Sequence, residues 1–407
     1  MQSINKKKNF EEGLQLCLIL MTIAILWLML YVLFAYRYSD CIEGLNLRLP
    51  FFNVKDFWND FFNPILYAWD RNYYDAKWGN CPPFLAIIAY ILSFPIKLGV
   101  SKYIVYITFY FVIMVIGSVC MNEILKDYID NYKCRIWAIL VVLLSFPFLY
   151  CFDRGNFVFV VAILIICFIW AYKKEHYTLA AVIIGMAASL KLYPALLGTI
   201  FLVDKKWKEA IICALTGIGI TVISFCIFKG GFMYNLTTCL EKMNSYATIG
   251  NGSIKWLIDD RNSFYQLILI PKILSSNLIL SIDEVPEFTK YFKVLLTVFM
   301  IDVVVNCFFG LKKHDILLVL TTFVLGYPIE SAVYNLTIVV FPILYWCANE
   351  KNNKIIPVLG TLLVTMKSFV AFTDLEITPQ AVLNPIIELL MIFYIIFYRK
   401  RKKLLNN

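Results

Sequence analysis

Residues Ala180–Val203 read AAVIIGMAASLKLYPALLGTIFLV. The run is apolar enough to sit in a bilayer, yet Lys191 falls in its middle and Pro194 follows three residues later. A lysine at the bilayer centre costs about 2.5 to 3.5 kcal/mol on insertion scales. Proline forbids a continuous helix and frees backbone groups. The stretch therefore reads as two spans, Thr178 to Leu190 and Tyr193 to Val203, broken at Lys191–Pro194. The break places the lysine at a helix junction, where a polar pocket can form. Composition alone equally allows a side chain that snorkels to the interface.

The rest of the chain has the same character. Hydrophobic residues make up 61% and charged residues 16%, against roughly 25% charged in soluble domains. This implies an all-α, polytopic helical membrane protein, read as a single membrane domain over 1–407, with no tandem repeat and no low-complexity linker. Leu14 to Tyr36 is too long for a signal-peptide core and has no small-residue cleavage site behind it, so it reads as a retained first span. The 12 cysteines sit mostly singly in apolar runs, without CxxC, as small buried hydrophobes rather than a disulfide or zinc framework. The formal charge of +9 concentrates in short loops and at both ends. Positive loops are what membrane topology predicts, so nucleic acid is not the implied partner.

Apolar runs of spanning length begin near Leu14, Lys102, Arg135, Asn156, Thr178, Tyr193, Lys208, Tyr291, His314, Ala332, Ile355 and Ala381, giving about twelve spans. Phe84 to Gly99 and Phe264 to Ser281 are short or interrupted by Pro95 and Pro271. If neither makes a net crossing and both termini are cytoplasmic, every strongly basic short loop lands inside. Re-entrant helices are tolerated where protein or a water cavity covers them. The outer face then gathers the first loop (37–83), DRGN at Asp153–Asn156, the Lys191 junction, a second large loop (229–264) and PIES at Pro328–Ser331.

These outer pieces carry the candidate chemistry. In the first loop Phe57, Phe61, Ile65 and Trp69 recur at spacing four, which predicts an amphipathic interfacial helix. Asp56 and Asp60 share that spacing, and mutual repulsion would raise the pKa of one and suit it to general-base work. A solvated acidic stripe gives the same pattern. In DRGN, Gly155 permits close backbone approach and Arg154 could fork onto phosphate oxygens. The same tetrapeptide can simply cap a helix through Asp153 or Asn156. Asn251 and Ser253, flanked by glycines and followed by Trp256, suit a sugar-binding loop or an ordinary turn. His176 and His314 lack metal-ligand spacing, and no Walker loop, GxGxxG or HExxH occurs, so no metal is implied.

Taken in order, these pieces resemble glycosyltransferase family 87, the DUF2029 family of the GT-C superfamily. The similarity is strongest from Gly155 to Trp207. There, a Gly-polar-x-Asn span start, a basic turn and AGxxxGxAxxxKxxPxxL fall on Gly155, Asn156, Ala181, Gly185, Lys191 and Pro194. Asp60, Tyr74-Asp75, Pro82-Pro83 and the Asn251–Ser253 element fit as well, with a weaker echo at Pro328–Leu344. One departure stands out: where many members carry histidine after Pro-x-x-Ser, this chain has Val333-Tyr334-Asn335.

The resemblance implies a GT-C-like fold in the plasma membrane with its active site on the extracytoplasmic face. It implies a hexosyltransferase moving a sugar such as mannose from a polyprenyl phosphate to a glycan or glycolipid, with no cofactor beyond that lipid-linked donor. Asp60 would act as base with Asp56 secondary, Lys191 and Arg154 would hold the phosphate, and Asn156, Tyr74, Asn251, Ser253, Trp256 and Tyr334 would contact substrate. Two rival readings share the outer-face site. A lipid-linked saccharide flippase would place paired charges around a central cavity between symmetric halves, whereas a polysaccharide polymerase or ligase differs only in the size of its substrates.

Overall fold

A computed structural model describes residues 12–38, 58–76, 82–249, 261–275, 285–350, 352–367 and 377–406. Its helices are α1 (Glu12–Tyr38), α2 (Asn59–Ala68), α3 (Pro83–Lys97), α4 (Lys102–Leu125), α5 (Tyr132–Leu143), α6 (Phe146–Arg154), α7 (Val158–Lys173), α8 (Tyr177–Leu190), α9 (Thr199–Val203), α10 (Trp207–Ile227) and α11 (Gly231–Ile249). There follow α12 (Gln266–Ser275), α13 (Val285–Phe308), α14 (Lys313–Gly326), α15 (Thr337–Asn349), α16 (Ile355–Val364) and α17 (Pro379–Asn406), with 3-10 turns at Tyr193–Gly198 and Val333–Leu336. Among the described residues the only β pairing is an isolated bridge between Arg261 and Ala332. The protein is all-α.

Among the described residues five helical segments are long and apolar enough to cross a membrane: Glu12–Ala35, Lys102–Leu125, Trp207–Ile227, Glu287–Phe308 and Pro379–Arg399. A sixth is formed if α5 and α6, bent by 52°, count as one span. The remaining apolar runs fold as helices of 10–17 residues. The physical reason lies in the breaks: Lys191–Pro194 cuts one run, and basic turns at Lys173–His176 and Asp204–Lys206 cut its neighbours. Side chains such as Ile19, Leu33, Phe111 and Ile211 stand exposed on the long helices, as lipid-facing surfaces require.

The chain packs as two compact units. The first comprises 1–53, 128–150 and 248–407, and the second 54–127 and 151–247. In the second unit α7 is the central helix, buried along nearly its whole length and packed on α4 and α8. Helices α8 and α10 meet at a seam of small residues. A Cβ on Gly185 would lie 2.7 Å from the Cys213 carbonyl oxygen and from Thr216 Cβ, and Ser189 Oγ donates to the Gly217 carbonyl at 3.3 Å. Such residues let helix backbones approach closely where no hydrophobic force acts between them.

In the first unit α14 and α15 form the buried centre, with α16 and α17 packed beside them. Where α14 begins and α15 ends, Arg399 forks onto Asp315 at 2.5 and 2.8 Å and reaches Glu350 at 2.5 Å. His314 meets Glu350 at 3.0 Å and the Trp346 indole N–H donates to Asp315 at 2.8 Å.

The second large loop contains more order than its sequence suggests, since α11 occupies 231–249. The Lys242 ammonium donates to the Ala76 carbonyl at 2.6 Å, Lys97 donates to the Trp69 carbonyl, and Ala76 and Trp69 both belong to the first loop.

Candidate functional site

Helix α2 starts abruptly because Trp58 adopts a left-handed conformation, φ 57°. The Trp58 N–H donates to the Asp153 carbonyl at 3.1 Å, and the Trp58 carbonyl accepts from Phe61 and Phe62 at 3.1 Å. Phe61, Phe62, Ile65 and Ala68 turn inward, and Phe61 stacks on Phe157 with ring centres 5.3 Å apart. The expected amphipathic helix is therefore present, but its apolar face packs on protein. It begins only at Asn59, so the helix face expected to join Asp56 to Asp60 does not arise from α2. Asp56 lies outside the described residues.

DRGN closes α6 and opens α7. Gly155 has φ +68°, a conformation glycine adopts without strain. Its N–H donates to the Phe152 carbonyl and that of Asn156 to the Cys151 carbonyl, both at 3.0 Å, the paired pattern that ends many helices. A Cβ on Gly155 would lie 2.9 Å from Phe61 Cβ and 3.1 Å from Trp58 Cα. Only glycine lets the first loop come this close.

The contact brings three of the expected residues together. Arg154 Nη2 donates to Asp60 Oδ1 at 3.3 Å, and Asn156 Nδ2 donates to Asp60 Oδ2 at 2.8 Å. Asn156 Oδ1 accepts the Val158 N–H at 3.0 Å. Asn156 thus caps α7 and fixes Asp60 at once, joining the capping and the site readings of its sequence. The Asp60 and Arg154 side chains are each 26% exposed, so the pair is anchored yet reachable. A carboxylate with both oxygens oriented still offers lone pairs for a proton.

Lys191 follows the last residue of α8 and is half-buried; its N–H donates to the Ala187 carbonyl at 3.0 Å, and its ammonium has no hydrogen bond or ion pair among the described residues. Helix α7 has 16 residues and α8 has 14, joined by a three-residue turn at Lys174–His176. At about 1.5 Å per residue the hairpin returns Lys191 to the end where Asn156 opens α7.

The sequence profile of glycosyltransferase family 87 matches residues 81–262. Over that stretch the chain is similar to glycosyltransferase family 87. No curated protein matches the chain. The family-87 stretch holds Arg154, Asn156 and Lys191, and Asp60 lies before it. The similarity supports sugar transfer as the general function.

Other expected contacts fall elsewhere. Tyr74 is buried, shares a hydrogen bond with Ser224 at 2.8 Å, and lies edge-on to Phe225 and Phe228. It is engaged in holding the first loop to α10. Tyr334 belongs to the first unit, in the 3-10 turn Val333–Leu336, its ring 6.4 Å from that of Tyr150. Asn251, Ser253 and Trp256 lie outside the described residues.

The candidate site also has supports that its sequence did not suggest. Tyr106 and Tyr110, one turn apart on α4, hold the DRGN turn from behind. The Tyr106 hydroxyl donates to the Phe152 carbonyl, and that of Tyr110 lies 3.2 and 3.0 Å from the Cys151 and Asn156 carbonyls. Their spacing of four was the available signal. Lys242 ties the Tyr74 and Ala76 carbonyls to α11. Burial pushes its ammonium below the usual lysine range, with Asp75 acting against that shift.

Proposed function

We propose that this protein transfers a hexose from a polyprenyl phosphate to an acceptor hydroxyl by direct, inverting displacement, with Asp60 as the base. The observation that carries the reading is that Asp60 is gripped by both Arg154 and Asn156, from the turn that opens α7. The acceptor oxygen gives its proton to Asp60 and bonds to the anomeric carbon. The bond from that carbon to the phosphate oxygen breaks, and its electron pair leaves with the lipid phosphate. Such a leaving group needs cationic stabilisation more than a strong acid. Arg154 supplies one cation beside the base and Lys191 the second, its ammonium unclaimed by any described carboxylate.

The wider proposal is a GT-C-like protein of about twelve spans, counting the short apolar helices, with both termini cytoplasmic and the site on the extracytoplasmic face. The second unit supports this polarity. Asp60, Arg154 and Asn156 occupy one end, and the turns bearing Lys173, Lys174, Lys205 and Lys206 lie at the far ends of the same helices, as inside loops would. Tyr334, Asn251, Ser253 and Trp256 remain candidates for contact with the sugar or the acceptor.

The test is release of lipid phosphate from a single-sugar polyprenyl phosphate by purified protein, dependent on added acceptor. Asp60→Asn is expected to lower kcat by about 100-fold or more, the range for a positioned base, with donor binding nearly intact. Full activity in that variant overturns the assignment, and translocation without release would make the protein a transporter. Lys191→Ala should raise the apparent KM for the lipid donor about tenfold or more, as loss of a charged contact does. An unchanged KM removes Lys191 from the phosphate site.

A further inference from the structure

Helix α3 and the first half of α4 make a feature of the second unit that the sugar-transfer reading does not use. Between them runs an apolar groove of about 330 Å³, lined by Leu92 and Pro95 of α3 and by Ile104, Thr108, Phe109 and Val112 of α4. Ligand pockets begin at about 300 Å³. The groove exists because the chain reverses sharply between the two helices: Gly99 has φ +92°, and the N–H groups of Gly99 and Val100 donate to the Ile96 and Pro95 carbonyls at 3.0 Å. Ile104 and Val112 stand exposed on a helix long and apolar enough to span a membrane. The groove therefore opens toward lipid.

Two lysines stand at its mouth, one on each side of the turn: Lys97 ends α3 and Lys102 begins α4. Helix α2 and its C-cap hold both. The Lys97 ammonium donates to the Trp69 carbonyl and lies 5.0 Å from the centre of the Trp69 ring, and the Lys102 ammonium lies 4.6 Å from the centre of the Phe62 ring. Ring contacts of this kind place an ammonium without neutralising it. Both lysines are exposed, and among the described residues no carboxylate forms an ion pair with either. An ammonium has three donors, so at least two remain on each for a ligand.

An apolar groove with two cations at one end fits an amphiphile with a phosphate headgroup. A net negative headgroup suits the pair better than a zwitterionic one, because each lysine near a membrane surface favours anionic lipid about fivefold. The groove is not a route into the Asp60 turn. Phe109, which lines it, meets Phe61 and Phe157 with ring centres 5.7 and 5.9 Å apart, and those two rings stack on each other. Phe61 is fully buried, so the three rings wall the groove off from Asp60 and Asn156, the chain neighbours of Phe61 and Phe157. The occupant is therefore a lipid other than one whose phosphate Arg154 holds.

We propose that the α3–α4 groove holds one chain of an anionic phospholipid, with its phosphate on Lys97 and Lys102. The assignment stands whether or not Asp60 is the base. Its test uses the full-length protein in phosphatidylcholine nanodiscs that carry a small fraction of phosphatidylglycerol with a photoreactive diazirine in one acyl chain, the crosslinks being mapped by mass spectrometry. Crosslinks should fall on the groove residues at least fivefold more often than on Ile211 and Ile218, which are as exposed on α10 as Ile104 is on α4. Phosphatidylcholine bearing the same diazirine should show no such preference. Lys97→Met combined with Lys102→Met should lower groove labelling at least fivefold, whereas Lys102→Arg and Asp60→Asn should each retain it. Should the double variant misfold, Thr108→Trp serves instead, filling the groove from an exposed position and lowering the labelling as much. Equal labelling of the groove and α10, equal labelling by the two lipids, or labelling unmoved in the lysine variant overturns the proposal. So does competition by an unlabelled polyprenyl phosphate at concentrations where unlabelled phosphatidylglycerol has no effect, which would give the groove to the donor chain.

Discussion

Asn156 joins structure and site in one side chain, its oxygen capping α7 and its amide holding Asp60. The two tasks can be separated by substitution. Asn156→Asp keeps an acceptor for the Val158 N–H but sets a second carboxylate against Asp60, whereas Asn156→Ala loses both. Loss of a cap costs about 1 kcal/mol, so Asn156→Ala should lower the thermal midpoint while Asn156→Asp should not. Both should reduce kcat, and the aspartate variant should do so without loss of fold. An active, fully stable Asn156→Asp would show that Asp60 needs no donor from this position. Sequence could nominate Asp60, Arg154 and Asn156 by residue type and neighbourhood. It could not show that Arg154 takes the carboxylate as partner, because the two are 94 positions apart and a left-handed Trp58 sets the start of the helix that carries Asp60.

At the scale of the element, the helix starts were legible. Observed helices begin within a few residues of most expected starts, because basic turns and prolines punctuate the apolar runs. What was not legible was α11, whose polar residues masked its helical period. The α8–α10 seam shows the same limit, since glycines at Gly185 and Gly219 are equivalent in sequence but not in space. A Cβ at Gly219 meets nothing within 4 Å, while at Gly185 it meets backbone at 2.7 Å. Gly219→Ala should leave stability unchanged or raise it by up to about 1 kcal/mol, as a helical glycine is replaced. Gly185→Ala should destabilise by about 1 to 3 kcal/mol through overpacking and, by shifting the end of α8, weaken donor binding through Lys191. Thermal melting of the two variants side by side checks the contrast, and equal effects would show that the seam is looser than its distances imply.

At the scale of the whole molecule, buried charge is best carried in pairs, because a buried unpaired ion is a costly defect in a membrane protein. The Arg399 cluster of the first unit is the strongest case, and it ties α14, α15 and α17 together. Burial by itself would raise the Glu350 carboxyl, but hydrogen bonds from His314, Arg399 and Lys312 and the charge of Arg399 outweigh it and hold the group well below the usual carboxylate range. A carboxyl depressed in the folded state contributes stability that is fully present above its unfolded value near pH 4.3 and is lost as pH falls through the folded value. The thermal midpoint should therefore be flat from pH 7 to pH 5 and fall steadily below it. Arg399→Met should remove the cation and leave Asp315 and Glu350 facing each other. Breaking one side of a buried pair costs about 3 to 5 kcal/mol, so the midpoint at pH 7 should drop sharply. In that variant Glu350 keeps only His314 and Lys312 as partners, so the fall of the midpoint with acid should be shallower than in the unsubstituted protein. A parallel acid profile for Arg399→Met and the unsubstituted protein would show that the cluster does not govern the stability of this unit.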